Sequence, residues 1–229
     1  MSYILKFENG KAYTKDEFDS IAETYAEQLR QAGYDKTCRI GVYSDWTNIF
    51  KIFGAMKVCS PVIVDNQFKD FEKNFYDIDI WVDDLPKPRY NQCSTDEVVG
   101  ICSSGSTNEP RIVPITEKQY NIDGLDNNIQ IHANLGPNDS TVNFIPYWVC
   151  IGFQTFSICY KYGCTYHVLD QPWKTWPSVK PTFVVGSPNV LKAMMNPTVP
   201  YDNMSIRHIR TVGAPMYKEL KERATSYFN

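Results

Sequence analysis

The sequence predicts an α/β fold, with a mostly parallel sheet flanked by helices, and three observations carry that prediction. Short apolar runs of strand length alternate along the chain with stretches of helical periodicity. The run Pro61-Val62-Ile63-Val64 is apolar throughout, as strands covered on both faces are. Helix-start chemistry recurs where the periodicity changes, at Thr14, Thr116 and Ser187.

The elements follow in order. Asn9-Gly10 separates the runs 3–7 and 11–13, and this pair favours the positive φ angles of a tight hairpin. Thr14 with Glu17 three residues on reads as a capping box. Phe18, Ile21, Ala22, Tyr25, Ala26 and Leu29 then mark one helical face, and Gly33 its end. A strand at 39–43 is followed by Asp45, which caps a helix reaching about residue 57. After the strand at 61–64 come a helix at 66–76 and a strand at 78–82. Residues 83–95 hold Pro86, Pro88 and two aspartates, the composition of a connecting loop. A strand at 112–115 precedes Thr116 and Gln119, a second capping box opening a helix towards Ala133. Strands at 141–145, 164–169 and 182–185 flank a helix at 152–162 that Gly163 ends. Ser187-Pro188 is an N-cap with proline at the first helical position, for a helix to about residue 195. A strand at 207–212 leads to a helix from 215 onward, with Tyr217, Leu220 and Ala224 on one side. The chain divides into segments 1–95 and 96–229, or forms one continuous domain; no repeat or low-complexity tract is present.

Composition narrows the class. Hydrophobic content of 43% with 14% aromatics gives enough apolar surface for a core, which excludes disorder as a description of the chain. A net charge of -3 without charge runs argues against nucleic acid or an anionic membrane as main partner. The most apolar window, 144–160, is interrupted by Pro146, Gly152 and Gln154 and is too short to span a bilayer. The first eleven residues lack a secretory-signal layout. Seven cysteines without a Cys-x-x-Cys pair read as reduced, mostly buried thiols, so a cytoplasmic setting is expected. His132, His167 and His208 lack metal-ligand spacing, and no resident metal site is expected. Trp173 and Trp176 sit in a proline-bracketed loop, where packing against the sheet is favoured over a binding lip.

The run Cys102-Ser103-Ser104-Gly105-Ser106-Thr107-Asn108-Glu109-Pro110-Arg111 carries the chemistry. Hydroxyls and backbone N–H groups in a turn after a strand form a donor surface suited to phosphate oxygens. Gly105 allows close backbone approach, and Arg111 supplies a fixed charge with forked donors. The alternative is a solvated Ser/Thr/Gly surface loop. Serine hydrolysis does not fit, because Ser103, Ser104 and Ser106 lack the Gly-x-Ser-x-Gly elbow. Cys102 reads as a small apolar residue at a strand end ahead of a reactive thiol.

With these elements in order the chain resembles the adenylate-forming superfamily of acyl- and aryl-CoA synthetases, peptide-synthetase adenylation domains and luciferases. Members carry a phosphate loop of Thr/Ser-Ser-Gly-Thr/Ser-Thr-Gly-x-Pro-Lys-Gly type, here Ser103-Ser104-Gly105-Ser106-Thr107-Asn108-Glu109-Pro110-Arg111-Ile112. The opening segments from Tyr13-Thr14 to Val64 resemble the family's first helix, strand, helix and strand. Asn143-Phe144-Ile145-Pro146-Tyr147-Trp148 through Gly152 resembles its Leu-Pro-x-x-His-x-x-Gly segment, and Gly213-Ala214-Pro215 its adenine-facing Gly-Ala-Pro. The chain departs at Asn108 and Ile112 for glycines, Arg111 for lysine, Val149 for histidine, and Thr211-Val212-Gly213 for a glycine pair.

The resemblance implies a shortened N-terminal domain of such an enzyme. It implies ATP or AMP, with magnesium on the nucleotide, at Ser103, Ser104, Gly105, Ser106, Thr107, Asn108 and Arg111 and at Gly213, Ala214 and Pro215. It also implies a carboxylate pocket at Tyr147, Trp148, Val149 and Gly152. The family's aromatic-Gly-x-Thr-Glu segment, ribose-binding aspartate and catalytic lysine have no matching position, so no catalytic residue is assigned. The expected function is an AMP-forming, ligase-like protein needing a second chain to complete its site. The alternative is a catalytically inactive homologue acting as a nucleotide- or acyl-binding or structural interaction module. A shortened sheet exposes an edge, so each reading expects a protein partner or a homo-oligomer.

Overall fold

The computed structural model describes residues 2–66, 78–103, 111–121, 133–195 and 205–228. The chain divides into two compact units, one of Asp16–Asn127 with Trp148–Cys150, the other of Met1–Lys15, Asn128–Tyr147 and Ile151–Asn229. Helices are numbered in chain order among the described residues.

The unit beginning at Asp16 is built on a sheet of order β3-β4-β5-β6, from β3 (Arg39–Tyr43), β4 (Ser60–Val64), β5 (Glu97–Cys102) and β6 (Ile112–Thr116). β3, β4 and β5 are parallel, and β6 returns antiparallel to β5. Every residue of β4 is buried, as its apolar run predicts. Helix α1 (Lys15–Gln31) buries Phe18, Ala22, Ala26 and Leu29, a stripe at helical spacing. It ends with Tyr34 N–H donating to the Leu29 carbonyl and Gly33 N–H to that of Arg30. Asp45 accepts from Thr47 N–H and caps a 3-10 turn, Trp46–Asn48, that runs into α2 (Ile49–Met56). Gly54 lets α2 approach α1 closely, because a Cβ there would lie 2.4 Å from the Ala22 carbonyl oxygen. The second capping box forms as read. Gln119 Oε1 accepts from Thr116 N–H at 2.9 Å, and Thr116 Oγ1 accepts from Gln119 N–H at 3.3 Å, opening α3 (Glu117–Asn121).

The expected strand at 78–82 is not one. Gly41 N–H donates to the Asp79 carbonyl and Trp81 N–H to that of Gly41, which makes a single bridge at Ile80. Pairing stops there because the Val82 carbonyl is taken by Lys51 Nζ and the chain turns away through Asp83, Asp84 and Pro86. The expected helix at 66–76 and the continuation of α3 towards Ala133 lie outside the described residues.

The other unit holds a sheet of order β10-β9-β7-β8-β1-β2. Its strands are β1 (Tyr3–Phe7), β2 (Ala12–Thr14), β7 (Ser140–Asn143), β8 (Thr165–Val168), β9 (Phe183–Gly186) and β10 (His208–Thr211). All neighbours are parallel except the β1–β2 hairpin at Asn9-Gly10. β1 pairs with β8, Leu5 opposite Tyr166. Helices α4 (Cys150–Tyr162), α5 (Pro172–Thr175), α6 (Pro188–Met194) and α7 (Lys218–Phe228) complete the described elements. Ser187 caps α6 as read, its Oγ accepting from Val190 N–H.

Three boundaries differ from expectation. β7 ends at Asn143: Phe144 N–H makes a last bond to the Val185 carbonyl, and the Asn143 side chain then accepts from Ile145 N–H and turns the backbone. Trp173 and Trp176 lie in α5 and a following 3-10 turn rather than a loop. Trp176 is buried, while Trp173 is half exposed and packs against Phe144, the two tilted rings 4.9 Å apart between centroids. The last helix begins at Lys218, so Tyr217 precedes it and is exposed; Leu220, Ala224 and Phe228 form its buried side.

One motif occurs in both sheets. In the four-stranded sheet, Arg39, Ser60 and Glu97 are the first residues of β3, β4 and β5. Buried Glu97 accepts from Arg39 Nε at 2.9 Å and Nη2 at 2.5 Å, and from Ser60 Oγ at 2.7 Å. In the six-stranded sheet, Asp139, Thr182 and Arg207 each stand one residue before β7, β9 and β10. Asp139 accepts from Arg207 Nη2 at 2.6 Å, Thr182 Oγ1 at 2.8 Å and Gly136 N–H at 2.9 Å. Those three bonds hold its carboxyl below the usual range against the opposing effect of burial, which is the largest single influence.

Candidate functional site

The hydroxyl-rich run connects β5 to β6. The antiparallel register brings Cys102 opposite Ile112. Beyond that pair the hairpin is closed by Ser103 and Arg111. Ser103 N–H donates to the Arg111 carbonyl at 2.8 Å, and Arg111 N–H donates to Ser103 Oγ at 2.9 Å. A hydroxyl that accepts one bond still has a proton to donate. Arg111 is exposed. The predicted site residues Ser104, Gly105, Ser106, Thr107 and Asn108, with Glu109 and Pro110, lie outside the described residues.

Two residues beside this turn have packing roles. Ile112, which stands for a glycine of the family pattern, is a strand residue whose Cγ2 would lie 2.8 Å from a Cβ at Gly100. Ile112 and Cys102 both pack against the buried cluster of Val62, Val64 and Ile78. The isoleucine thus fills the space that Gly100 leaves. Cys102 packs there as the small apolar residue it was read to be.

Gly213, Ala214 and Pro215 follow β10 in the other unit and are exposed. Val212 N–H bonds the Gly186 carbonyl as the last rung, and Gly213 then takes φ of +82°. That left-handed backbone favours glycine, and no atom lies within 4 Å of where its Cβ would be. The structure makes this an open corner at the end of a strand.

Among the residues read as a carboxylate pocket, Tyr147 is fully buried and Val149 is 43% exposed, with Trp148 between them. Gly152 is required by packing. A Cβ there would lie 1.8 Å from the Pro146 carbonyl oxygen, so the start of α4 rests directly on that backbone. His167, on β8, is buried, and that burial, with Lys6 nearby, lowers its pKa to about 4. It is therefore a neutral core histidine at pH 7.

The sequence reading missed a polar contact inside the six-stranded unit. Arg210 Nη1 donates to Gln154 Oε1 at 3.3 Å, and Gln154 Nε2 is buried without a partner among the described residues. The signal was present, since Gln154 interrupts the most apolar window of the chain. Among the described residues, no three His, Cys, Asp or Glu side chains converge to hold a metal ion, and no helix is long and apolar enough to cross a membrane.

Solved structures share this architecture. VinN superposes with a TM-score of 0.79 at 15% identity, over 99% of this chain and 68% of VinN. The long-chain-fatty-acid-CoA ligase FadD1 of Archaeoglobus fulgidus gives 0.76 at 16% identity, over 99% of this chain and 57% of the ligase. The O-succinylbenzoate coenzyme A synthetase MenE of Bacillus subtilis, in complex with AMP, gives 0.73 at 15% identity, over 99% of this chain and 55% of MenE. At these identities the likeness is one of fold, and the chain spans between about half and two thirds of these relatives. No curated protein matches in sequence. The sequence model of the family described as AMP-binding enzyme matches residues 51–229, more than half of the chain and both sides of the Ser103–Arg111 hairpin. On that match, the chain belongs to the AMP-binding enzyme family.

Proposed function

We propose that the chain is an AMP-forming, ligase-like protein that binds ATP and takes part in activating a carboxylate as its acyl-adenylate. The observation that carries this reading is the hairpin clasped by Ser103 and Arg111 inside the family match. In the proposed reaction a carboxylate oxygen attacks the α-phosphorus, forming the mixed anhydride as pyrophosphate leaves. The protein's task is to stabilise charge on the phosphate oxygens and align the attacking atom.

The hydroxyls and backbone donors from Ser103 through Asn108, with the Arg111 guanidinium, are suited to the β- and γ-phosphates. Gly213, Ala214 and Pro215, with nothing in the space beside Gly213, take the adenine-facing role. Trp148 and Val149 are the more accessible residues for the carboxylate, while Tyr147 is buried and Gly152 rests on the Pro146 backbone. Magnesium enters with the triphosphate, whose oxygens supply its ligands.

Loss of one preorganised donor typically costs about 2.7–4 kcal/mol of transition-state stabilisation. We assign full turnover to an assembly in which a second chain contributes further preorganised groups. A nucleotide-binding module without catalysis is the second reading. The packing of Ile112 against Gly100, which commits a loop position of the family pattern to the sheet, favours it.

Calorimetric titration with ATP and magnesium, beside an Arg111→Ala control, tests both. Micromolar binding that weakens at least tenfold in the control is expected. An absence of heat and of any thermal shift at millimolar ATP would exclude both. Pyrophosphate release on adding a carboxylate and the partner chain separates the first reading from the second.

A further inference from the structure

We propose that Cys159 and Cys164 form a redox site, oxidised by hydrogen peroxide to a disulfide that staples the end of α4 to the start of β8 and reopened by a thiol reductant. The backbone gives the first reason. Helix α4 ends at Tyr162, and Gly163 follows with φ of +73°, the left-handed turn that glycine adopts without strain. Cys164 N–H then donates back to the Cys159 carbonyl at 3.0 Å, the bond that closes a glycine-ended helix. That bond holds the two Cα atoms within about 7 Å, the limit for a disulfide that leaves the backbone in place. Such helix ends ordinarily bring an apolar residue of the last turn against one just beyond the glycine. Here both are cysteines.

The hydroxyl beside them gives the second reason. Cys159, Cys164 and Thr141 are all fully buried, and Thr141 Oγ1 lies 3.3 Å from Cys159 Sγ and 3.2 Å from Cys164 Sγ. Cys159 donates to that oxygen, and a hydroxyl that accepts one bond keeps a proton for the other sulfur. The two thiols also bond each other. Apolar packing needs no such hydroxyl, whereas a developing thiolate does. The electrostatics follow this geometry. Burial raises the thiol pKa at Cys38, Cys59, Cys93 and Cys159. At Cys164 the bond to Cys159 lowers it and the bond to Thr141 adds to the effect, against the opposing influence of burial.

Cys164 is accordingly the attacking thiol. Its thiolate attacks one peroxide oxygen, the O–O bond breaks, and a sulfenic acid forms as the other oxygen leaves as water. The Cys159 sulfur then attacks the Cys164 sulfur, the S–O bond breaks, and the hydroxyl departs as a second water. Two electrons pass from the thiol pair to the peroxide, and both thiol protons end on water. The peroxide enters through the turn itself. Lys161 is exposed and Tyr162 and Gly163 are half-buried, so the short link between the two cysteines runs at the surface. Opening of one turn at a helix end is among the least costly local unfolding events. The inference does not use the phosphate hairpin and stands whether or not the chain binds ATP.

The test treats the intact folded chain with hydrogen peroxide, blocks the remaining thiols with iodoacetamide and digests with trypsin. Lys161 lies between the two cysteines, so the disulfide joins peptide 119–161 to peptide 162–174. Peptide 119–161 also holds Cys150, and fragmentation of the joined pair tells it from Cys159. The expected result is a Cys159–Cys164 link that dithiothreitol removes. While the link is present, amide exchange across residues 161–164 should slow about tenfold. Thr141→Val keeps both thiols and removes the shared hydroxyl, and should slow formation of the link at least about threefold. The mapping itself uses the unaltered chain and decides the matter if that variant fails to fold. No joined peptide, a link through Cys150 in place of Cys159, a link that forms only in urea, or an unchanged rate in folded Thr141→Val would overturn the proposal. So would sulfinic acid on either cysteine without the link, since the second thiol would then be out of reach.

Discussion

Both sheets tie the starts of three neighbouring parallel strands with one carboxylate, one hydroxyl and one arginine, but the two ties meet solvent differently. In each, the hydroxyl residue belongs to the middle strand, Ser60 at β4 and Thr182 at β9, with the acid and the arginine on either side. Arg39 is 21% exposed and grips Glu97 through two nitrogens. Arg207 is 50% exposed and reaches Asp139 through one. The neighbourhood explains the difference, because β3 is flanked by the bridge at Ile80, whereas β10 borders an open groove. A charge-assisted bond gains strength as water is excluded, and its loss then leaves a more costly orphan. The same three residue types thus make an internal joint in one sheet and a partly wet one at the margin of the other.

That contrast sets the order of the expected effects. Arg39→Ala leaves Glu97 buried with only Ser60 as a side-chain donor, and should cost about 3–5 kcal/mol in urea unfolding. Arg207→Ala should cost less, about 1–1.5 kcal/mol, because Asp139 keeps Thr182 Oγ1 and Gly136 N–H and water can reach the vacated place. Equal losses from the two variants would break the comparison. Acid sharpens it with the smallest effect near neutrality. The pKa of His167 is lowered to about 4 from 6.5, so the unfolded chain binds a proton in that window and the folded chain does not. Stability therefore falls as pH drops from 6.5 towards 4, by roughly 1 kcal/mol or less at pH 6. Asp139 acts below that window: its contribution is present above 3.8 and is lost as pH falls through its lowered value. Amide exchange followed against pH should show the six-stranded sheet opening first, and His167→Gln should flatten the slope between 6.5 and 4.

Local chemistry was legible in the sequence, and long-range chemistry was not. The strand at 39–43, the hairpin at Asn9-Gly10, and the caps at Thr116 and Ser187 lie where the residues indicate, because each depends on groups within a few positions. The strand expected at 78–82 is only a single bridge at Ile80, because how far an apolar run pairs depends on where a distant partner runs. The two three-residue ties left no sequence signal, since Arg39, Ser60 and Glu97 share no spacing that a periodicity could reveal. At the candidate site, the hairpin that holds the hydroxyl run was implied by flanking apolar segments. The clasp of Ser103 by Arg111 was not, because it needs the antiparallel register to bring residues eight apart face to face.

The pairing of β1 with β8 has a consequence for the order in which the chain can form. Leu5 meets Tyr166, and Glu8 Oε2 accepts from Asp170 N–H at 2.7 Å, so β1 finds its parallel neighbour only after some 160 residues have followed. Closing so long a loop is slow compared with local turns. On the ribosome, residues 16–127 can complete a sheet of their own while the β1–β2 hairpin waits, its edge open to strangers. β1 is made long before it can pair with β8, and during synthesis the β1–β2 hairpin has much to gain from a chaperone.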